Sequence, residues 1–240
     1  MREGHISKAF DGSLAALHIG VVEMGGLVLD QVHEAARAYT DWDSQPAELV
    51  LAREPAVNDY EKRLGVDQLT LLARRQPVAG DLRAIVSMSK VAAELERAGD
   101  EAKKIARAVI RHEPQPAAGT TRDVRHLGQF AVNLMRSALE SFDRLDPLVA
   151  AEVIARDEEL DEEYASGLRR LMSRTMEDGR TVGVALEAAF VLKSLERVGD
   201  HARNIARQVL LIQGADPETG AGAESAAAPA AGSADSRSAE

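Results

Sequence analysis

Residues 91–109 read VAAELERAGDEAKKIARAV, and residues 191–209 read VLKSLERVGDHARNIARQV. The two stretches align without a gap at a shift of 100 positions, and eleven of the nineteen residues are identical. In both, apolar residues recur at spacings of three and four, which is the period of an α-helix that buries one face. A long helix that occurs twice, far apart in the chain, indicates an internal duplication.

The same spacing of apolar residues predicts six long helices, three in each half of the chain. Pro46 suits the first turn of the second helix, and Pro147 marks the start of the fifth. The loop around Pro114 and Pro116 separates the two halves. Short, polar connections favour antiparallel neighbours. We therefore expect an all-α fold of two tandem, pseudo-symmetric three-helix bundles.

The duplication divides the chain into a first repeat at 1–115, a second repeat at 116–213 and a tail at 214–240. The tail contains no Leu, Ile, Val, Met or aromatic residue. It cannot bury enough apolar surface to offset the entropy lost on ordering, so we expect it to be disordered. Its five acidic residues and one basic residue contribute −4 to the net charge of −10.

The composition of the 240-residue chain narrows the classes of function. The absence of cysteine excludes a disulfide scaffold, a thiolate metal site and a cysteine nucleophile. The net charge of −10 argues against general nucleic-acid binding. No run of eighteen apolar residues occurs, and the first residues lack the apolar segment of a signal peptide, so we expect a soluble, intracellular protein.

Each copy of the repeated helix carries two carboxylates four residues apart, which places them on one helix face. Matching pairs occur on the preceding helix, and the nine side chains of these rows are Glu54, Asn58, Glu96, Asp100, Asp157, Asp161, Glu196, Asp200 and Asn204. The rows lie beside the apolar stripe, so we expect them on the bundle surface. If the two helices pack antiparallel, the rows face each other and offer oxygen ligands to iron, manganese, magnesium or calcium.

A solvated acidic face is the alternative interpretation of each pair. Lys103 and Lys104 lie within one turn of Asp100, so an ordinary salt bridge is available there. None of the six histidines has a Glu three residues before it, which weakens the hypothesis of a ferritin-like di-iron enzyme. The recurrence of the pair in both halves keeps metal binding open.

Taken in order, these motifs resemble the PhoU family of regulators of phosphate-specific transport. Two copies of Glu-Arg-x-Gly-Asp, at 96–100 and 196–200, carry the resemblance. It extends over nearly the whole body of the chain, from about residue 5 to residue 212, and further matching stretches are HIS at 5–7, MGG at 24–26, RQPVAGDLR at 75–83 and MEDGRT at 176–181.

The resemblance implies a cytoplasmic protein without catalytic activity that restrains phosphate uptake and the phosphate-starvation response. It implies three partners: the ATPase subunit of the phosphate ABC transporter, a membrane sensor histidine kinase, and a second copy of the chain in a homodimer. It implies no nucleic acid, and contact with the membrane only through these partners. Two other classes of function stay open, a metal-binding, metal-storing or metal-dependent catalytic protein and a passive helical dimerisation module.

The resemblance also implies that the nine side chains of the rows bind iron or another divalent metal such as manganese, magnesium or zinc. The family's row usually continues to an Asn four residues after the Asp. Asn204 keeps this residue, whereas Lys104 replaces it in the first repeat. A protonated amine cannot ligate a cation, so we expect the second repeat to bind metal more strongly and Lys104 to neutralise Asp100.

Overall fold

The computed structural model describes residues 3–75, 77, 79–111 and 116–216. Its helices are α1 Glu3–Asp41, α2 Ser44–Arg75, α3 Ala79–Arg111, α4 Ala118–Arg144, α5 Pro147–Glu177 and α6 Val182–Gln213. A single 3₁₀ turn, Gly179–Thr181, precedes α6, and no strand occurs within the described ranges. The predicted all-α fold of six long helices is confirmed. The predicted disordered tail lies outside the described residues from residue 217 onward.

Each repeat forms a bundle of three helices that all contact one another, α1–α3 in the first and α4–α6 in the second. The bundles join where α1 packs against α4 and α3 against α6. Glu94 pairs with His201 and Glu101 with Arg197, so α3 and α6 run antiparallel. One hydrophobic core extends through both repeats. The division of the chain at residue 115 stays a prediction, since the repeats share that core.

The core consists of the apolar stripes that the sequence predicts. Val21, Met24 and Val28 of α1 are fully buried, as are Leu95 of α3 and Leu195 of α6. Burial of such side chains supplies about 1.5–3 kcal/mol each, which makes the stripes the main source of stability. The bundle therefore fixes which face of each helix remains available for other groups.

The crossing of α1 and α4 depends on a small residue. A Cβ placed on Gly25 would fall well inside the van der Waals radius of Leu139 on α4. Gly128 of α4 occupies a comparable position against Ala36 of α1. The two helices thus approach closely at two places, and this contact helps to fix the orientation of one repeat against the other.

Helix α1 combines length with an apolar composition. Residues 10–41 are the only segment in the described part of the chain that is long and apolar enough for a membrane span, a test that core helices also pass. The helix contacts α2, α3 and α4, and its side chains Val21, Met24, Val28 and Val32 are 0% exposed. We interpret α1 as a core helix of the bundle.

Candidate functional site

The predicted carboxylate rows lie in two equivalent seams between packed helices. The seam between α2 and α3 belongs to the first repeat, and the seam between α5 and α6 belongs to the second. We call the side chains of the first seam the α2–α3 cluster and those of the second the α5–α6 cluster. Each cluster also contains a basic residue three positions after the Asp of the Glu-Arg-x-Gly-Asp motif.

In the α2–α3 cluster, a lysine joins the two rows. Lys103 Nζ donates to Glu54 Oε1 at 2.5 Å and to Asp100 Oδ1 at 3.4 Å. Asn58 Nδ2 also donates to Glu54 Oε1, at 2.8 Å. The hydrogen bonds from Lys103 and then Asn58 hold the pKa of Glu54 below its usual value. Glu96 is half-buried, and its pKa is raised by burial and by the charge of Asp100.

In the α5–α6 cluster, an arginine occupies the equivalent place. Arg203 donates from Nη1 to Asp157 Oδ2 and from Nη2 to Asp200 Oδ1, the latter at 2.7 Å. Asp157 is only 2% exposed, and this burial raises its pKa to about 6 against the opposing effect of Arg203. Asp161 is exposed at the edge of the cluster, and its charge adds to the rise in the pKa of Asp157.

The expectation that the rows lie on the bundle surface is wrong for two of their members. Asp157 is buried, and Glu196 is 8% exposed, with Lys193 Nζ 2.6 Å from its Oε1. For Asp157 the cause is the close approach of α5 to α6 at Gly199, where a Cβ would overlap Leu160 and lie 3.4 Å from Asp157 Oδ1. The buried Oδ1 of Asp157 and Oε2 of Glu196 have no hydrogen-bond partner among the described residues.

Two further expectations about the rows need correction. Asn204 does not join the α5–α6 cluster, because its Nδ2 donates to Glu94 Oε2 of the other repeat at 3.1 Å. Lys104 does not neutralise Asp100, because its Nζ bonds to Glu101 Oε1 at 2.8 Å. The neutralising residue is Lys103, one position earlier, which reaches the seam between α2 and α3 while Lys104 faces α6.

The interface between α3 and α6 contains polar residues that the motif analysis missed. His201 Nδ1 lies 2.7 Å from Glu94 Oε2, and Arg197 Nη1 lies 3.1 Å from Glu101 Oε1. Burial opposes the ionisation of Glu94, but its hydrogen bonds with His201 and Asn204 outweigh burial and keep its pKa low. Glu94 and His201 occupy positions that differ between the repeats, so a search for repeated residues could not find them.

The side chains of the two clusters do not fit a metal ion in the arrangement described. No group of three or more His, Asp or Glu residues within the described ranges is placed to hold one. Lys103 and Arg203 occupy the space between the paired carboxylates, and a cation there would have to displace them. The unpartnered Asp157 Oδ1 and Glu196 Oε2 do not change this, since the carboxylates that carry them belong to no group of three possible ligands among the described residues. The nine predicted metal ligands stay a prediction.

Comparison with known proteins agrees with the duplicated three-helix architecture. The family model described as "PhoU domain" matches residues 21–109 and again residues 124–209. The chain belongs to the PhoU family. The resemblance inferred from the two Glu-Arg-x-Gly-Asp motifs is thereby confirmed. Both motifs fall inside the matched ranges, one in each.

Relatives of the PhoU family resemble the chain over most of its length. A protein of Pseudomonas putida named "Phosphate-specific transport system accessory protein PhoU homolog" is 41% identical over 215 residues, which cover 88% of this chain and 84% of the relative. The Escherichia coli (strain K12) protein "Phosphate-specific transport system accessory protein PhoU" is 35% identical over 201 residues, or 84% of this chain and 83% of the relative.

Solved structures of PhoU proteins have the same fold. The crystal structure of PhoU from Pseudomonas aeruginosa has a TM-score of 0.82 and 40% identity, and the match covers 85% of this chain and 99% of that one. The structure of the phosphate transport system regulatory protein PhoU from Streptococcus pneumoniae has a TM-score of 0.79 at 24% identity, covering 85% and 96%. At that lower identity, the second match shows the fold alone.

Proposed function

We propose that the protein is an accessory regulator of a phosphate-specific transport system. The observation that carries this proposal is the match to accessory proteins of that name at 35–41% identity, over more than four fifths of both lengths. Fold alone does not imply function. Here the fold is accompanied by the two motifs and by similarity over most of both chains, which support a shared role.

We propose further that it acts by binding rather than by catalysis. Its partners in this proposal are the ATPase subunit of the phosphate transporter and a sensor histidine kinase, which it contacts from the cytoplasm as a homodimer. The geometry of the clusters supports a binding role. Burial raises the pKa of Asp157 to about 6, a direction that would suit a general acid or base, but Asp157 is 2% exposed and bonded to Arg203, so a substrate cannot reach it.

A deletion strain tests the regulatory role. With the gene removed, we expect a reporter of the phosphate-starvation response to be active in high phosphate, and a plasmid copy to restore repression. A passive dimerisation module predicts no change in the reporter. A metal-dependent enzyme predicts a turnover that disappears with the Glu196 and Asp200 side chains.

Co-purification tests the proposed partners. The tagged full chain should retain the ATPase subunit or the kinase, and the amount retained should differ between cells grown in high and in low phosphate. Size-exclusion chromatography with light scattering measures the proposed dimer. If the deletion leaves the reporter unchanged and neither protein is retained in either condition, the regulatory proposal is wrong.

A further inference from the structure

Large exposed apolar side chains concentrate near the ends of the α2–α3 and α5–α6 hairpins. Those of the first repeat are Val66, Leu69, Leu82 and Val86, and those of the second are Met172, Met176, Val182, Leu186 and Phe190. Scattered apolar residues on a surface need no explanation, but a patch that recurs on the same element of both repeats does. Three members of the first patch, Val66, Leu69 and Val86, line one groove between the two helices of their hairpin.

The groove lies between the second half of α2 and the first half of α3 and has a volume of ≈ 630 Å³. Val66 and Leu69 of α2, which are 63% and 69% exposed, form one wall, and Val86 of α3 lies opposite at 43%. The buried Ile85 contributes to the floor. We call this feature the α2–α3 groove.

The dimensions of the groove match a helix. Its lining on α2 runs from Lys62 to Leu72, which at 1.5 Å per residue is about 15 Å, or roughly three helical turns. A groove between two helices accepts a third helix when apolar side chains at positions i, i+3 or i+4, and i+7 enter it. In the first bundle, α1 packs against both α2 and α3, so an added helix would make a fourth member.

The charged side chains at the rim of the groove indicate which charged side chains a bound helix would need. Lys62 on α2 and Lys90 on α3 are the charged residues among those lining the groove, and both are exposed. Neither forms an ion pair within the described part of the chain. Two unpaired cations on opposite sides of an apolar floor complement acidic side chains on either side of an apolar stripe. They stand out on a chain whose net charge is −10.

We propose that the α2–α3 groove binds an amphipathic α-helix of a partner protein whose apolar stripe is flanked by Asp or Glu side chains. The inference deepens the proposed function and rests on it, because it assigns a docking surface and a recognition chemistry to a regulator that acts through partners. The binding mode is the insertion of one helix into a groove between two others.

Two other occupants complement the groove less well. The segment 217–240 of this chain has no Leu, Ile, Val, Met or aromatic residue, so it offers no large apolar anchor. The groove beside Phe190, between α3 and α6, is lined by three cationic and two acidic side chains, and this net positive lining does not complement Lys62 and Lys90. Head-to-tail docking of copies would also produce rings or open chains rather than a dimer with two identical contact surfaces.

A designed peptide tests the proposal on the full chain. The probe is a fluorescein-labelled 15-residue helix with Leu at i, i+4, i+7 and i+11 and Glu at the flanking positions. Its two controls have the Leu positions scrambled or the Glu residues replaced by Lys. We expect saturable binding of the acidic probe with a Kd below about 1 mM by fluorescence anisotropy. Each control probe should bind at least ten-fold more weakly.

Variants of the chain locate the site. Leu69→Asp should weaken the acidic probe at least ten-fold, whereas Leu49→Asp should not, although Leu49 is 51% exposed on the same helix outside the groove. The double variant Lys62→Glu and Lys90→Glu should no longer bind the acidic probe and should bind the Lys-flanked probe instead. This exchange of preference would not follow from a change in stability, and equal melting temperatures of the variants check their folding.

Several results would overturn the docking proposal. The first is the absence of saturable probe binding, and the second is equal binding of the probe by Leu69→Asp and by the unaltered chain. The third is self-association of the chain that Leu69→Asp abolishes, which would make a second copy the occupant. The fourth is sedimentation with phosphatidylglycerol vesicles that Leu69→Asp abolishes, which would make a membrane the occupant. A chain that binds the probe but fails the reporter test overturns the regulatory role and leaves the groove assignment. A chain that passes the reporter test without binding the probe overturns the groove assignment alone.

Discussion

The α2–α3 cluster and the α5–α6 cluster both place a cationic side chain between carboxylates of two packed helices. In both, a cationic side chain three residues after the motif Asp bridges that Asp and a carboxylate of the neighbouring helix. Lys103 bridges Asp100 and Glu54, and Arg203 bridges Asp200 and Asp157. Both repeats contain the bridge, whereas the residues that build it differ.

The carboxylates of the two clusters differ in how deeply they are buried. The side chain of Glu54 is 21% exposed and the pKa of Glu54 is lowered, while the side chain of Asp157 is 3% exposed and its pKa is raised to about 6. In the more open seam between α2 and α3, the carboxylate that meets Lys103 is a Glu. In the tighter seam between α5 and α6, the carboxylate that meets Arg203 is the shorter Asp. An ion pair at a surface contributes little to stability, but a buried carboxylate becomes costly when its partner is removed.

Removal of the bridging cation should give the largest difference in stability between the two clusters. We expect Arg203→Gln to lower the free energy of unfolding at pH 8 by about 2–4 kcal/mol, because it leaves Asp157 buried and ionised without its partner. Lys103→Gln should cost no more than about 1 kcal/mol, because water can solvate Glu54. Urea denaturation of both variants measures the difference. Equal losses would mean that the depth of the carboxylate does not control the contribution of the bridge.

The variant Arg203→Gln also tests the metal prediction, together with Asp200→Ala. Elemental analysis of the purified chain and of Asp200→Ala shows whether the second repeat holds metal in the way that the resemblance implies. Because Arg203 lies between Asp157 and Asp200, we expect Arg203→Gln to take up more manganese or iron than the unaltered chain. Metal bound at one equivalent by the unaltered chain and lost in Asp200→Ala would show that the arginine moves aside.

The glycine of each motif offers a second contrast. A Cβ at position 199 would overlap the buried Leu160, whereas a Cβ at position 99 would lie 3.3 Å from Gln31 Oε1 as its nearest neighbour. We expect Gly199→Ala to destabilise the fold by about 1–3 kcal/mol through overpacking. Gly99→Ala should change stability by less than about 1 kcal/mol, because better helix propensity offsets the crowding. Thermal unfolding of both variants measures the two effects. Equal shifts in melting temperature would contradict the conclusion that the helices approach more closely at Gly199 than at Gly99.

Much of this architecture could be predicted from the chain, because helix period and internal repetition are properties of sequence. The stripe with Leu95 and Leu195 is buried as the repeat predicts, and the motif carboxylates lie on the predicted helix faces, although Glu196 is buried rather than exposed. The depth of Asp157 could not be predicted, since it depends on how closely α5 approaches Gly199. The pairing of Asn204 with Glu94 depends on how the repeats pack together, which no spacing within one helix records.

The pH dependence of stability should have opposite signs in the two clusters. The pKa of Asp157 is raised from 3.8 to about 6, so between these values the folded chain binds the proton that the unfolded chain releases. Its contribution to stability is therefore present at low pH and is lost as the pH rises through 6. The pKa of Glu54 is lowered, so its contribution is present above its unfolded pKa and is lost as the pH falls.

Two neutral variants measure these contributions, each as the free energy of unfolding of the unaltered chain minus that of the variant. For Asp157→Asn we expect this difference to fall by about 1–2 kcal/mol between pH 4.5 and pH 7.5. For Glu54→Gln it should rise over the acidic end of the same range by a few tenths of a kcal/mol, since Glu54 is partly solvated. Slopes of the same sign would mean that both carboxylates lie in the same environment, and the comparison between the clusters would fail.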